Sequence, residues 1–455
     1  MQPQMLANND PAALMVDQVL LATPEEQLGN GIWPRSTPLW MTAFYVALFI
    51  IRPWEQLFPW LGAIHFERFY ILCMLVSVFF TTKKKQLAIS WQILTILNFL
   101  MILILSSLLA IDPSLAWEAV YKYLTLLIFY YILLKVIHTP YDLAFIVVSY
   151  VATMTIYLLK AQWEFFVNGQ HAFDMGVIRL CGIENTFGGP NNLGMSIIAS
   201  LPIGLLLWQQ KDVITATWPA AWKKGFKRGL QIYGVLSTTS IVLTNSRSSM
   251  VGLVVFLLLV ILGGNGIGKK IGFLTAGICF LALIWLFMPE ENKGRMQTIW
   301  APEEGPANAQ ASAEGRVEGF KAGMEMFRRF PVLGVGPENF VAYRITNVDG
   351  VPLEAHNLAG QVLGEMGTLG GGAFLLMISA TLLNCSSIRG MFRKSPSSTA
   401  QFLAELAGAC RNSVLLLIFL GIFGHNLYRF NWIWLATFSD LAFQFMRKKQ
   451  KLIGS

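Results

Sequence analysis

Residues 88–110 read AISWQILTILNFLMILILSSLLA, 23 positions without one charged side chain, just after Lys83, Lys84 and Lys85. About 20 apolar residues in helical rise span the hydrocarbon of a bilayer. Inside lipid the backbone satisfies its own polar groups only as a helix or a closed barrel, and a run this long and continuous means a helix. Working outward, comparable runs recur near 38–52, 66–82, 117–136, 141–162 and 190–209. The second half adds runs near 230–245, 249–264, 270–288, 368–388, 408–426 and 430–446. The expectation is an all-α polytopic membrane protein of about 12 transmembrane helices, with a long outer-loop subdomain between helices 9 and 10.

Composition points the same way. The 455 residues are 55% hydrophobic and 13% charged, against roughly 25% charged in soluble chains. A net charge of +8 could suit nucleic acid, but the basic residues stand in short clusters between apolar runs. That pattern belongs to topology, with membrane lipids as neighbours and no nucleic acid. With the N-terminus cytoplasmic, the inner segments carry Lys83 to Lys85; Lys135; Lys211, Lys223, Lys224, Lys227 and Arg228; Lys269 and Lys270; and Arg389, Arg393 and Lys394. Arg447, Lys448, Lys449 and Lys451 follow in the tail, so every inner segment is basic.

The chain then divides into a cytoplasmic tail over 1–37, helices 1–9 over 38–288, a loop subdomain over 289–367, helices 10–12 over 368–446, and a basic cytoplasmic tail over 447–455. Asp10, Asp17, Glu25 and Glu26 precede the first arginine at position 35, so no cleavable signal peptide is read there. The stretch from Pro11 to Leu21 is mildly amphipathic, fitting either the inner leaflet or a disordered tail. Cys73, Cys181, Cys279, Cys385 and Cys410 are scattered, without metal-ligand spacing or a disulfide framework.

Function is expected in the outward segments near 163–190, 245–249 and 289–367. In the last of these, Glu290 to Ala313 is polar and rich in Pro, Ala and Glu, which reads as flexible, whereas Glu314 to Phe330 has helical spacing and can form a cap. Phe330-Pro331 ends that helix, and Gly334, Gly336 and Pro337 make a tight turn.

Four outward clusters pair a cation or histidine with small turn residues. They are Arg179 with Gly188-Gly189-Pro190-Asn191-Asn192; Ser246-Arg247-Ser248-Ser249; Arg316 with Gly336-Pro337-Glu338-Asn339-Phe340; and His356-Asn357 with Glu365-Met366-Gly367. Arg247 sits in a short polar break between two apolar runs. A guanidinium there either faces a substrate, gripping phosphate with two parallel hydrogen bonds, or snorkels to headgroups as an anchor. Arg179 and Arg316 also read as ordinary solvated charges, and His356 as an interface residue. Gly263 to Lys270 imitates a phosphate loop but lacks the following Ser or Thr, and reads as a basic turn. Asp-x-Asp, His-Glu-x-x-His and Gly-x-Ser-x-Gly are all missing, so no metal-bound sugar-nucleotide site and no cofactor are expected.

Taken in order, Arg179 with Pro-Asn-Asn, Ser-Arg-Ser-Ser, Arg316 with Gly-Val-Gly-Pro-Glu-Asn-Phe, His-Asn and Glu-Met-Gly resemble the O-antigen ligase and polymerase superfamily over about 179–370. Arg-Pro-Trp-Glu at 52–55 and Phe-Pro-Trp at 58–60 resemble its O-antigen-ligase-like branch. The resemblance implies a metal-independent glycosyltransferase of the bacterial inner membrane, acting at the periplasmic face on a glycan carried by undecaprenyl diphosphate. The acceptor is another glycan, a lipid such as lipid A core, or a protein, which separates ligase, polymerase and protein O-oligosaccharyltransferase.

By that resemblance Arg247, Arg316 and His356 are the catalytic trio, with Arg179, Asn191, Ser246, Glu338, Asn339 and Asn357 binding substrate. The arginines hold the diphosphate in place of a metal, and His356, titrating near neutrality, takes the acceptor's proton, with inversion. Glu338, Glu354 and Glu365 are reserve bases, Glu365 being placed where the next helix starts. A transporter is the alternative of another class, and an envelope scaffold the third; the halves show no repeat of the kind transporters carry.

Overall fold

The computed structural model describes residues 34, 36–81, 89–174, 177–182, 184, 186–264, 266–301, 307–394 and 397–453. The tail with its amphipathic stretch, Lys83 to Lys85, and residues 302–306 lie outside the described residues. The protein is a bundle of helices: α1 (Thr37–Ile51), α2 (Pro59–Ala63), α3 (Phe66–Thr81), α4 (Trp91–Leu108), α5 (Pro113–Val136) and α6 (Pro140–Phe166). After a hairpin of β1 (Ala172–Asp174) and β2 (Val177–Arg179) come α7 (Pro190–Ile214), α8 (Ala220–Leu243), α9 (Arg247–Gly263) and α10 (Ile267–Phe287). The segment between α10 and α14 holds α11 (Glu290–Gln297), α12 (Ala307–Arg329) and α13 (Phe340–Asn347), and α14 (Leu358–Lys394), α15 (Ser398–Leu420) and α16 (Asn431–Ile453) close the bundle.

A helix lies at each expected span. Among the described residues, seven helices are long and apolar enough to cross a membrane, and α1 and α9 are shorter apolar helices. The chain is a mostly helical, polytopic membrane protein. Prolines open α5, α6 and α7 at their first positions, where a missing N–H removes nothing from the helix. Thr139 and Asp142 form a reciprocal capping box on α6. Outward surfaces are apolar: Phe79, Phe80 and Phe287 stand about as exposed as side chains can be, and α10 buries Gly277 alone among its described residues. Aromatic rings fill the middle, with Phe129, Tyr150 and Phe430 packed edge-on or tilted around Trp434. Charged groups at this depth call for partners; Tyr130 and Ser90 both donate to the buried Asp440 carboxylate, at 2.8 and 3.0 Å.

Four expectations need correction. The all-α reading omits the β1–β2 hairpin, whose register sets Ala172 opposite Arg179. Glu290 to Gln297 is helix, and α12 begins at Ala307, so much of the stretch read as flexible is ordered. Helix α8 starts ten residues before the expected span, carrying Lys223, Lys224, Lys227 and Arg228 on its first turns. The helix expected from 368 begins at Leu358 and is broken at Gly367, which adopts φ 62°. Glu365 therefore lies two turns inside α14 rather than at a helix start, and is 1% exposed.

Helix α12 lies along the first turns of α14 at glycine-to-glycine range: a Cβ on Gly323 would meet the Gly360 carbonyl oxygen at 2.4 Å. The turn Gly334–Pro337 reaches the bundle through hydrogen bonds from Val335 N to Gly364 O (2.9 Å) and Ser106 Oγ to Leu333 O (2.7 Å). Gly334 and Gly336 hold φ of 70° and 109°, which side-chain-bearing residues rarely adopt.

Candidate active site at one end of the bundle

The hairpin delivers Arg179 into the bundle, 2% exposed. Its Nε donates to Thr244 O at 2.9 Å and its Nη2 to Asn191 Oδ1 at 2.8 Å, fastening the ends of α7 and α8 together. The chain then turns through Asn245, in left-handed backbone at φ 50°, and Ser246 caps α9 by accepting from Ser249 N at 3.3 Å. Arg247 is thus the first helical residue, and its Nη1 donates to Thr298 Oγ1 at 2.7 Å. Thr298 in turn donates to Arg295 O at 2.7 Å, so α11 braces the guanidinium from the loop side.

Arg316, from α12, lies with Cζ 5.8 Å from the Phe423 ring centre. Burial, then the charges of Arg247 and Arg179, push it down to about 10. Three arginines from three parts of the sequence therefore share one electropositive centre, and Arg316 stays cationic at neutral pH. His356 follows at the mouth of α14, in left-handed backbone (φ 46°), with its pKa lowered by burial and by Arg316 and Arg344. The near-neutral titration read from the sequence is thus moved to the acid side, leaving the imidazole neutral and able to accept a proton at pH 7. Arg344 itself is fully committed, gripping Asp349 with Nε and Nη2 and the Leu353 carbonyl with Nη1.

The remaining candidates divide by what they touch. Asn339 is 0% exposed; it accepts from Asp112 N (2.6 Å) and donates to Asp112 O (3.1 Å) and Pro337 O (2.8 Å), tying the α10–α14 segment to the start of α5. Asn357 accepts from Gly360 N and donates to Ile422 O, joining α14 to the segment after α15. Glu338, at φ 58°, donates its N–H to Glu365 Oε2 at 3.2 Å, and Tyr428 donates to the same oxygen at 2.6 Å. Burial, with Glu338 nearby, pushes Glu354 up to about 7.

The sequence reading missed a fifth segment, 421–430, most of which it absorbed into the span 408–426, with 427–429 left as a short link to the span 430–446. Helix α15 stops at Leu420, and the following turn presents His425, Tyr428 and Arg429. The His425 ring lies 5.4 Å from that of His356, and burial, His356 and Arg429 hold its pKa down to about 3. Arg429 donates to Thr186 O at 3.0 Å and is lowered to about 10 by burial. A signal existed: of the five histidines in the chain, His356 and His425 alone precede asparagine, and Gly424-His425 repeats the pattern of a turn residue beside a potential base.

A family model described as O-antigen ligase matches residues 232–375. That stretch is similar to the O-antigen ligase family. It carries Ser246, Arg247, Arg316, Asn339 and His356, so the motifs whose order resembled this superfamily fall inside the match; Arg179 and His425 fall outside it. The protein is accordingly a polytopic membrane protein with a central region similar to the O-antigen ligase family. No curated protein matches the chain.

Proposed function

We propose that the protein transfers a glycan from undecaprenyl diphosphate to an acceptor hydroxyl, lipid A core or a similar glycan, at the periplasmic face of the bacterial inner membrane. The observation that carries this reading is the gathering of Arg179, Arg247 and Arg316 beside a neutral His356. Guanidiniums in a partly dry site suit a diphosphate, on which charge grows as the sugar–phosphate bond breaks. Twelve crossings with both termini cytoplasmic would set this end of the bundle outside, since the opposite end carries Lys211, Lys269, Lys270 and Arg393.

In the proposed step His356 takes the proton of the acceptor hydroxyl, and the oxygen attacks the anomeric carbon from the face opposite the diphosphate. The carbon–oxygen bond to phosphate breaks with its electron pair, giving undecaprenyl diphosphate and inverted product. Arg247 and Arg316 neutralise the leaving group, and Arg179, enclosed by Thr244 and Asn191, adds charge and fixes the Ser246–Arg247 turn. Glu338, with Glu354, is then placed to hold acceptor hydroxyls, and Ser246, Asn191, Asn339 and Asn357 shape the site through the bonds described above. No metal takes part. Polymerase and protein O-oligosaccharyltransferase chemistry would use the same centre with another acceptor.

The test is glycan transfer in cells lacking their resident ligase, comparing the parent with Arg247→Ala, Arg316→Ala and His356→Ala at matched membrane amounts. The parent is expected to join glycan to acceptor while the variants accumulate lipid-linked donor. Equal behaviour of all four would remove the site assignment. No transfer by any chain, with donor and acceptor supplied, would bring the transporter reading forward.

A further inference from the structure

The end of the bundle away from Arg247 holds a second polar feature, which the transfer reading leaves unused. Helices α7, α9, α14 and α15 enclose a half-open cavity of about 140 Å3, lined by Gln209, Phe256, Arg389, Glu405, Arg411 and Asn412. Arg389 and Arg411 belong to two of the long apolar helices. Cations in such helices are costly and ordinarily face a partner or a ligand.

Arg411 gives both Nε and Nη2 to Asn412 Oδ1, at 3.3 and 3.0 Å, a neutral acceptor that leaves its charge unbalanced. Arg389 makes no hydrogen bond or ion pair among the described residues. Its guanidinium leans on α15 at Gly408, where a Cβ would come within 3.0 Å of Nη2. The two guanidiniums are near enough to repel one another. Glu405, Gly408 and Asn412 fall on one face of α15 by their spacing of three and seven, so the exposed Glu405 stands at the rim of the same cavity.

Two guanidiniums facing one small cavity are a receptor for a single tetrahedral phosphate, which both can grip. At the cytoplasmic ends of membrane helices the abundant phosphate is that of a lipid headgroup. The carboxylate at the rim adds selection, because it attracts a headgroup bearing an ammonium and repels one carrying net negative charge. We propose that this cavity binds an inner-leaflet phospholipid with an ethanolamine headgroup, its phosphate bridged by Arg389 and Arg411 and its ammonium on Glu405. The acyl chains would then run along Leu259 and Phe273, which line the same opening.

The test uses the full chain in nanodiscs made from equal parts of phosphatidylethanolamine and phosphatidylglycerol, taken into mild detergent and weighed by native mass spectrometry. The parent should retain one phosphatidylethanolamine, and R389Q/R411Q should retain about tenfold less, the effect of losing charge-assisted hydrogen bonds. E405Q should still retain phospholipid but without preference between the two headgroups. Equal retention by the parent and R389Q/R411Q would overturn the proposal, as would a parental preference for phosphatidylglycerol. Displacement by millimolar inorganic phosphate would make this a site for free phosphate instead of lipid. Should R389Q/R411Q fail to fold, the exposed Glu405 position decides alone: an unchanged headgroup preference in E405Q refutes the assignment. The readout is lipid retention and not transfer, so it stands or falls apart from the reading above.

Discussion

Replacing Gly323 by alanine should disable the site from a distance. A Cβ at Gly323 would stand 2.4 Å from the Gly360 carbonyl oxygen, and the nearby Gly319 is as tightly placed, 2.3 Å from Ala355 O. Both obstacles are main chain, which cannot swing aside as a side-chain tip can. Ordinary contact begins at 3.4 Å, so α12 and α14 must part by about 1 Å to accept the methyl group, an overpacking worth about 1–3 kcal/mol. Arg316 lies two turns before Gly323 on α12, and His356 directly follows Ala355, so the parting falls on the spacing between guanidinium and imidazole. Misplacing reacting groups by about 1 Å lowers a rate about 100-fold. The assay is transfer per molecule of membrane-inserted protein, with Gly372→Ala as control, since a Cβ there meets nothing within 4 Å. Gly323→Ala is expected to keep about 1% of parental transfer, and Gly372→Ala all of it. A parental rate per molecule for Gly323→Ala would show that this helix contact does not set the site's geometry.

Arg316→Ala should lower transfer by about 100- to 1,000-fold, the usual loss when one preorganised donor to developing charge is removed, while Arg316→Lys recovers part of it; chelator should alter neither. With His356 titrating below its ordinary 6.5, transfer should be level from about pH 7 upward and fall on acidification below the usual imidazole range; a profile still rising above pH 8 would exclude it as the base. Glu354 is raised from 4.5 to about 7, so the folded state holds its proton more tightly than the unfolded chain. Stability from this group is full at low pH and is lost as pH rises towards about 7. Glu354→Gln should flatten that decline in melting temperature between pH 5 and 8, whereas parallel curves would refute it. Tyr428→Phe removes the 2.6 Å donor to Glu365 and should destabilise by about 1–3 kcal/mol, read as a lower melting temperature in detergent.

The spans were legible because lipid leaves the chain little choice: residues 88–110 without a charge must be helix, and α4 is there. The amphipathic spacing from Glu314 likewise announced α12, and the turn glycines 334 and 336 have the positive φ that their residue type permits. What averaging over apolar runs could not resolve was where a helix stops inside one. Leu417-Ile-Phe-Leu-Gly-Ile-Phe-Gly reads as unbroken lipid-facing sequence, yet the helix ends at Leu420, and so His425 stayed hidden in a supposed span while Arg429 sat in the short gap between two spans. Nor could spacing reveal that Arg179 is enclosed. Its burial depends on Thr244, 65 positions away, and on a hairpin too short to leave a pattern.

The anchoring of Asn339 bears on protein engineering. Because its amide bonds both the N–H and the carbonyl of Asp112, while Ile111 N donates to Val335 O at 3.1 Å, the long α10–α14 segment is stitched to the α4–α5 corner. Residues 289–367 are therefore not a cassette. A chimera that exchanges them between relatives to change acceptor choice must carry the corner from Ser106 to Asp112 along with them, or the grafted turn will lose the scaffold that holds Glu338 beside Glu365.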